Sequence, residues 1–447
     1  MKKRIRPAIL LTLVLIFLFP QSTGCAPKEV EQTNDSLKIA YFGTVDLVAG
    51  ALYEFKEAYP NVEVTVDAET YEETDDVGES FYTRISAEMM SGNGPDVFVF
   101  ECEKLNANKM MRSGAFVDLN ELTDGDPEWD LTGYNQAVIE AGQVDGKQYI
   151  MPLTYDIPLL LSTQSLLDET GFDISSADNY ITFMEECLEY RQAGKKPELL
   201  VRNPLHMRPY FYQLSTEIIN YDTRAVKVNT PEIRKATELY QRAIISQYYQ
   251  DGLGETSAGG VYGAISLRDK TSLFERSIIP LEYHIQNYRA LKAIGETPVT
   301  IPLYNVEGKL AAQVNEAVAI NASSPNQQNA YEFIKLMLEN TDYVFQGYFP
   351  VSNKAAERYM EQFMGEENQL SLISGDTGEF ETLAALTQEE VDEYLDIIKK
   401  VDTAYIPERN VRSVYMEEIG PYLSGETDDI DTCLQNSEDK LKIIVSE

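Results

Sequence analysis

The chain runs to 447 residues, long enough for two domains that each bury a core of their own. Its 73 acidic residues against 37 basic ones give a formal net charge of −36, so nothing would neutralise nucleic-acid phosphates or hold the surface on anionic lipid. That excess reads as solubility, and an apolar content of 43% is too high for a disordered chain.

At the start, Met1-Lys2-Lys3-Arg4-Ile5-Arg6 is basic and Ala8 to Phe19 is apolar, with Pro20 and Ser22-Thr23-Gly24-Cys25 behind it. A basic head, an apolar run too short to span comfortably and a small-residue exit predict an export signal over residues 1–24. The end of that segment resembles a bacterial lipobox, which implies cleavage before Cys25 and diacylglycerol on its thiol. Ser22 stands where that pattern prefers Leu, and ordinary secretion is the alternative. Residues 25–36 are polar and aperiodic and read as a tether. Cys102, Cys187 and Cys433 lie far apart without metal-ligand spacing and read as isolated buried thiols.

Leu37 to Phe42 reads as a strand ending at Gly43-Thr44. Asp46 to Tyr59 carries Leu47, Leu52, Phe55 and Ala58 at roughly helical spacing, with Asp46 placed to cap and Pro60-Asn61 to stop it. Val62 to Val66 alternates as a strand. Phe81 to Met90 has Phe81, Ile85 and Met89 on one face, and Gly92, Gly94 and Pro95 end it. Val97 to Phe100 is an unbroken apolar run, as for a parallel strand buried on both faces. This β-α-β-α-β order is the unit of a doubly wound parallel sheet, which binds ligands past its strand ends. A further helix, Lys104 to Ser113, stops at Gly114.

Several fragments then recur in a telling order: Tyr59-Pro60-Asn61-Val62, Gly92-Asn93-Gly94-Pro95-Asp96-Val97, Gly114-Ala115-Phe116-Val117-Asp118-Leu119 and Asp145-Gly146-Lys147-Gln148-Tyr149 with Pro152. Val228-Asn229-Thr230-Pro231-Glu232, Ala330-Tyr331-Glu332-Phe333-Ile334-Lys335, Phe349-Pro350-Val351 and Tyr422-Leu423-Ser424-Gly425-Glu426 follow. Together, over almost the whole mature chain, they resemble the bacterial extracellular solute-binding proteins of ABC importers, in the family whose members mostly bind carbohydrates. Ser162-Thr163-Gln164 and Asn179-Tyr180-Ile181 depart from the family's pattern.

The resemblance implies an α/β, two-lobed, periplasmic-binding-protein-like fold of type II, similar to maltose-binding proteins, hinged by crossover segments. The crossovers are expected near Met151 to Asp156, Ile279 to His284 and Asn321 to Pro325. Residues 37–152 and 279–322 would form the first lobe, 153–278 and 323–447 the second. A sugar offers hydroxyls on its edge and a C–H face, so carboxylates, amides, Arg and aromatic rings would hold it. By position the candidates are Thr44, Asp46, Glu101, Glu103, Tyr155 and Asp156, then Arg208, Tyr210, Tyr212, Tyr283, His284 and Asn321.

Plainer roles compete for several of these. Asp46 is equally a helix cap, Glu101 and Glu103 alternate and would not face the same way in a continuing strand, and His284 suits a structural imidazole. Arg208 has many carboxylates to pair with. No Gly-x-Ser-x-Gly, His-Glu-x-x-His or phosphate-cradling loop occurs, and His206 and His284 are the only histidines. The expectation is a monomeric binding protein, not an enzyme, with no cofactor, no metal and no nucleic-acid partner. It would be lipid-anchored to the outer face of the cytoplasmic membrane, capture a mono- or oligosaccharide and deliver it to the importer's permease subunits. The rivals are a cationic solute such as a polyamine, an exported glycan-acting enzyme, and a receptor that reports occupancy to a sensor.

Overall fold

β1 (Ser36–Phe42), α1 (Asp46–Ala58), β2 (Glu63–Glu69), α2 (Asp75–Met90) and β3 (Val97–Glu101) follow one another, and β2 and β3 both pair in parallel with β1. The computed structural model describes residues 35–446 except 44–45, 70–74, 125, 128, 202–210, 212, 216, 250–261, 276–280, 340–346, 366–369 and 375–378. α2 ends because the backbone turns left-handed at Gly92 and Gly94, and a Cβ on Gly94 would lie 3.2 Å from the Met89 amide. Asp96, buried just before β3, accepts hydrogen bonds from the Lys38 amide at 2.7 Å, Ser324 Oγ at 2.6 Å and Asn326 Nδ2 at 3.2 Å. One carboxylate thus ties β1, β3 and a distant loop together.

Next come α3 (Ala107–Arg112), capped by Asn106, α4 (Gln136–Glu140), β4 (Met151–Pro152), β5 (Thr154–Asp156) and β6 (Leu159–Thr163). α5 (Tyr180–Gln192), β7 (Leu199–Val201), α6 (Pro231–Tyr240), β8 (Ser272–Phe274), α7 (Leu281–Ala293) and β9 (Pro298–Pro302) follow. The chain closes with β10 (Ala311–Val314), β11 (Glu316–Ile320), α8 (Gln327–Glu339), β12 (Phe349–Pro350), α9 (Gln388–Lys399), β13 (Thr403–Tyr405), α10 (Arg409–Ser424) and α11 (Ile430–Ser446).

The first sheet has the order β2-β1-β3-β11-β4, with β11 antiparallel to both neighbours. In a second group β9 runs antiparallel to β6, Leu161 of β6 bridges Glu275 just past β8, and β8 pairs in parallel with β7. Each has its own aromatic core. Phe42, Phe81, Tyr82 and Phe98 lie 5.6–6.3 Å apart under the first sheet. Phe172, Phe183, Tyr190 and Phe274 lie 5.0–5.9 Å apart in the second. Between them is a crossover sheet in the order β12-β5-β10-β13.

Strand pairing corrects the expected division of the chain. Residues 279–322 do not all belong to the first lobe, because β9 pairs with β6 and α7 packs on both of those strands. The return crossover is β10, whose continuation β11 then joins β3. Nor does the second lobe resume at residue 323. α8 packs on α1 and β1, with Phe333 edge-on to Phe55 at 5.9 Å. Of the expected crossover Ile279 to His284, residues 279–280 lie outside the described residues, and Leu281 to His284 open α7 with Leu281, His284, Ile285 and Tyr288 buried along it.

Candidate functional site

β5, β10 and β13 lie side by side, and their register places Asp156 opposite Gln313 and Gln313 opposite Tyr405. Directly opposed residues share a sheet face, so Asp156, Gln313 and Tyr405 form one polar row along the crossover. Tyr155 points the other way. It is fully buried, stacked on Phe349 at 5.7 Å, and its hydroxyl accepts from Asn135 Nδ2 at 3.4 Å. Desolvation raises its pKa, and its ring packs the back of the hinge instead of facing a ligand.

The row continues to the first lobe. Gln313 Nε2 donates to Asn315 Oδ1 at 3.0 Å, and the Cys102 amide donates to the Asn315 carbonyl at 2.7 Å. Beneath it Glu316 is buried, bonded by the Thr154 hydroxyl and paired in register with Glu101. Burial first, then the neighbouring Glu101 and Asp156 charges, push its carboxyl up to about 8.

β3 ends at Glu101 and a 3-10 turn, Cys102–Lys104, follows. The two carboxylates therefore diverge. Glu101 meets Lys104 at 3.3 Å, and that ammonium lies 5.0 Å over the Phe42 ring. Glu103 pairs with Arg412 on α10.

A wall closes the other side. Asn108 Nδ2 donates to Glu408 Oε1 at 2.8 Å, and the Tyr221 hydroxyl bonds Glu408 Oε2. Arg112 Nε donates to Asp222 Oδ1 at 3.2 Å, and its guanidinium sits 5.1 Å over the Tyr221 ring. Burial raises the Glu408 carboxyl, and burial with the Glu408 charge raises the Tyr221 phenol. A cavity of about 240 Å³ is lined by Asn108, Arg112, Phe211, Tyr221, Tyr405 and Glu408, among others. It combines amide, guanidinium and carboxylate groups with aromatic rings, the mixture a hydroxylated ligand uses.

The other expected positions are scattered. Asp46 opens α1, while Thr44, Arg208, Tyr210 and Tyr212 lie outside the described residues. Tyr283 is 39% exposed in the first turn of α7.

His284 and Asn321 are corrected to structural roles. His284 is buried, with Nε2 3.2 Å from Thr300 Oγ1 and its ring edge-on to Tyr394 at 5.9 Å, and desolvation pushes its pKa down to about 3. Asn321 donates from Nδ2 to the carbonyls of Asn93 and Pro95, each at 3.0 Å, clamping the turn before β3. Sequence reasoning missed Asn108, Arg112, Tyr221, Gln313, Tyr405, Glu408 and Arg412. The available signal was Tyr405-Ile406-Pro407-Glu408, a short strand stopped by proline before a helix.

Among the described residues no group of three or more His, Cys, Asp or Glu is placed to hold a metal ion, and no helix is long and apolar enough to cross a membrane. No curated protein sequence matches the chain. The sugar-binding protein MalE from Xanthomonas citri shares its fold with a TM-score of 0.64 at 14% identity, over 92% of this chain and 97% of that one. A periplasmic oligogalacturonide-binding protein from Yersinia enterocolitica gives 0.60 at 13%, over 92% and 99%. An ABC substrate-binding protein from Listeria monocytogenes, in complex with cycloalternan, gives 0.55 at 16%, over 92% and 99%. These likenesses carry the fold, two α/β lobes of the periplasmic-binding type joined by crossover strands. Residues 51–368 match the model of a whole family, and the chain belongs to it: it is a bacterial extracellular solute-binding protein.

Proposed function

We propose that the protein captures a small solute, a mono- or oligosaccharide, between its lobes and hands it to the membrane subunits of an ABC importer. The observation that carries this is the polar row Asp156–Gln313–Tyr405 on the crossover sheet, beside a cavity walled by α3 of one lobe and Tyr221 and Glu408 of the other. A solute seated there touches both lobes only when they are shut, so binding shifts the population toward the closed form. The sugar ligands named for the Listeria and Yersinia proteins support the same solute class. No step of chemistry on the solute is needed. Cys25, as a lipid-bearing residue, would hold the protein at the outer face of the cytoplasmic membrane.

A thermal-shift screen of the chain from Ala26 onward against mono-, di- and oligosaccharides tests this, because a ligand bound only by the folded state raises the melting temperature. A sugar that raises it without being cleaved supports the proposal. Cleavage makes the protein an enzyme. A second reading is a cationic solute such as a polyamine, for which Glu101 and Asp156, both near the buried Glu316, would supply the negative charge. Affinity for such a solute falls steeply with salt, whereas hydroxyl hydrogen bonding is much less screened.

A further inference from the structure

We propose that α3 is a latch that holds the two lobes together before any solute arrives. α3 belongs to the first lobe. β3 leads into it, and the chain leaving it returns to that sheet, where Phe116 bridges Asn321 and the Val117 amide donates to Ile320 O at 2.9 Å.

Its partners belong to the second lobe. Tyr221 and Asp222 lie in the turn of the hairpin formed by Ile219–Asn220 and Ala225–Val226, which packs on α11. Glu408 immediately precedes α10, which packs on α11 and reaches α6 where the Tyr415 hydroxyl lies 3.3 Å from Thr237 Oγ1. α6 in turn packs on α5, over the second aromatic core.

Asn108 and Arg112 are four residues apart and share one face of α3. They are joined to each other, Arg112 Nη1 donating to Asn108 Oδ1 at 3.3 Å. Asn108 then bonds Glu408, Glu408 bonds Tyr221, and the Tyr221 ring lies under the Arg112 guanidinium. The four side chains close a ring across the lobe boundary, with Asp222 as an outer partner of Arg112. Glu103 and Arg412 add a second bridge alongside. Both oxygens of Glu408 are occupied within the ring, so a solute is not required to complete it. Closed molecules therefore form a large share of the population without ligand. Because apparent affinity scales with the competent fraction, the latch also sets how tightly the solute is held.

The latch concerns the empty protein, so it stands or falls apart from the identity of the solute. Spin labels at Tyr53 on α1 and Ile443 on α11, 68% and 59% exposed, report the distance between lobes. They are introduced as cysteines in the full chain in detergent with Cys25→Ser; Cys102, Cys187 and Cys433 are buried. Pulsed electron-electron resonance without ligand is expected to give one dominant distance for this protein. Adding Asn108→Ala and Arg112→Ala together should move at least two-thirds of it to a second distance, and Asp222→Ala should give an intermediate mixture. A far-UV thermal melt checks that each variant folds, and Asp222→Ala decides alone if the double variant does not. The proposal is overturned if the latch-intact protein already shows the second distance as its main one, or if the folded variants keep the original distribution.

Discussion

Asp156 and Gln313 stand directly opposite each other on antiparallel crossover strands, and both side chains leave that sheet on one face. One strand goes out to the second lobe and the other comes back, so this pair lies on the crossover between the lobes. Replacing Asp156 with Ala removes a carboxylate from the floor without touching either aromatic core. Calorimetry on the folded variant should show at least a tenfold loss of solute affinity, about 1.4 kcal/mol.

Glu316 supplies a pH test with a definite sign. Its folded carboxyl is pushed up to about 8 from an ordinary 4.5, so the folded state holds a proton that the unfolded state has released. Stability then falls as pH rises from 4.5 to 8, by about 1.4 kcal/mol per unit at most. Glu316→Gln keeps the shape and abolishes the titration. Thermal melts should show the variant more stable than the parent at pH 8 and indistinguishable from it at pH 4.

His284 carries the opposite dependence. Burial holds its imidazole neutral, with a folded value near 3 against 6.5, so the unfolded chain takes up the proton first on acidification. Its contribution is intact above pH 6.5 and is lost as pH falls through that window toward 3. His284→Leu should flatten that part of the stability curve, and NMR should show the native ring unprotonated at pH 5.

Asp96 is the structural counterpart. Its carboxylate accepts from a backbone amide, a hydroxyl and a carboxamide, all inside the first lobe. Asp96→Ala strands those donors and should cost about 3 kcal/mol, read from urea unfolding. Affinity for solute per folded molecule should be unchanged.

The first lobe was legible in the sequence because its signals are local. Val97 to Phe100 is wholly apolar and wholly buried, and Gly92 and Gly94 take the left-handed conformations that end α2. The crossovers were harder. β5, β10 and β13 are three or four residues each, too short for periodicity to show, and their pairing joins residues far apart in the chain. The same holds for the site. Glu101 and Asp156 are expected positions because they end a strand or sit at the first crossover, whereas Gln313 and Tyr405 owe their place to strand register and Glu408 to the helix start just past β13. Tyr155 misled for a related reason. A one-residue step along a strand exchanges one face of the sheet for the other.

The most direct measurement is a calorimetric titration of the protein, and of its Asp156→Ala and Tyr405→Ala variants, with the sugar that most raises its melting temperature. Saturable one-to-one binding by the parent, weakened at least tenfold in both variants, is the expected result. Binding that both folded variants retain in full would put the solute somewhere other than the crossover floor and contradict the proposed site.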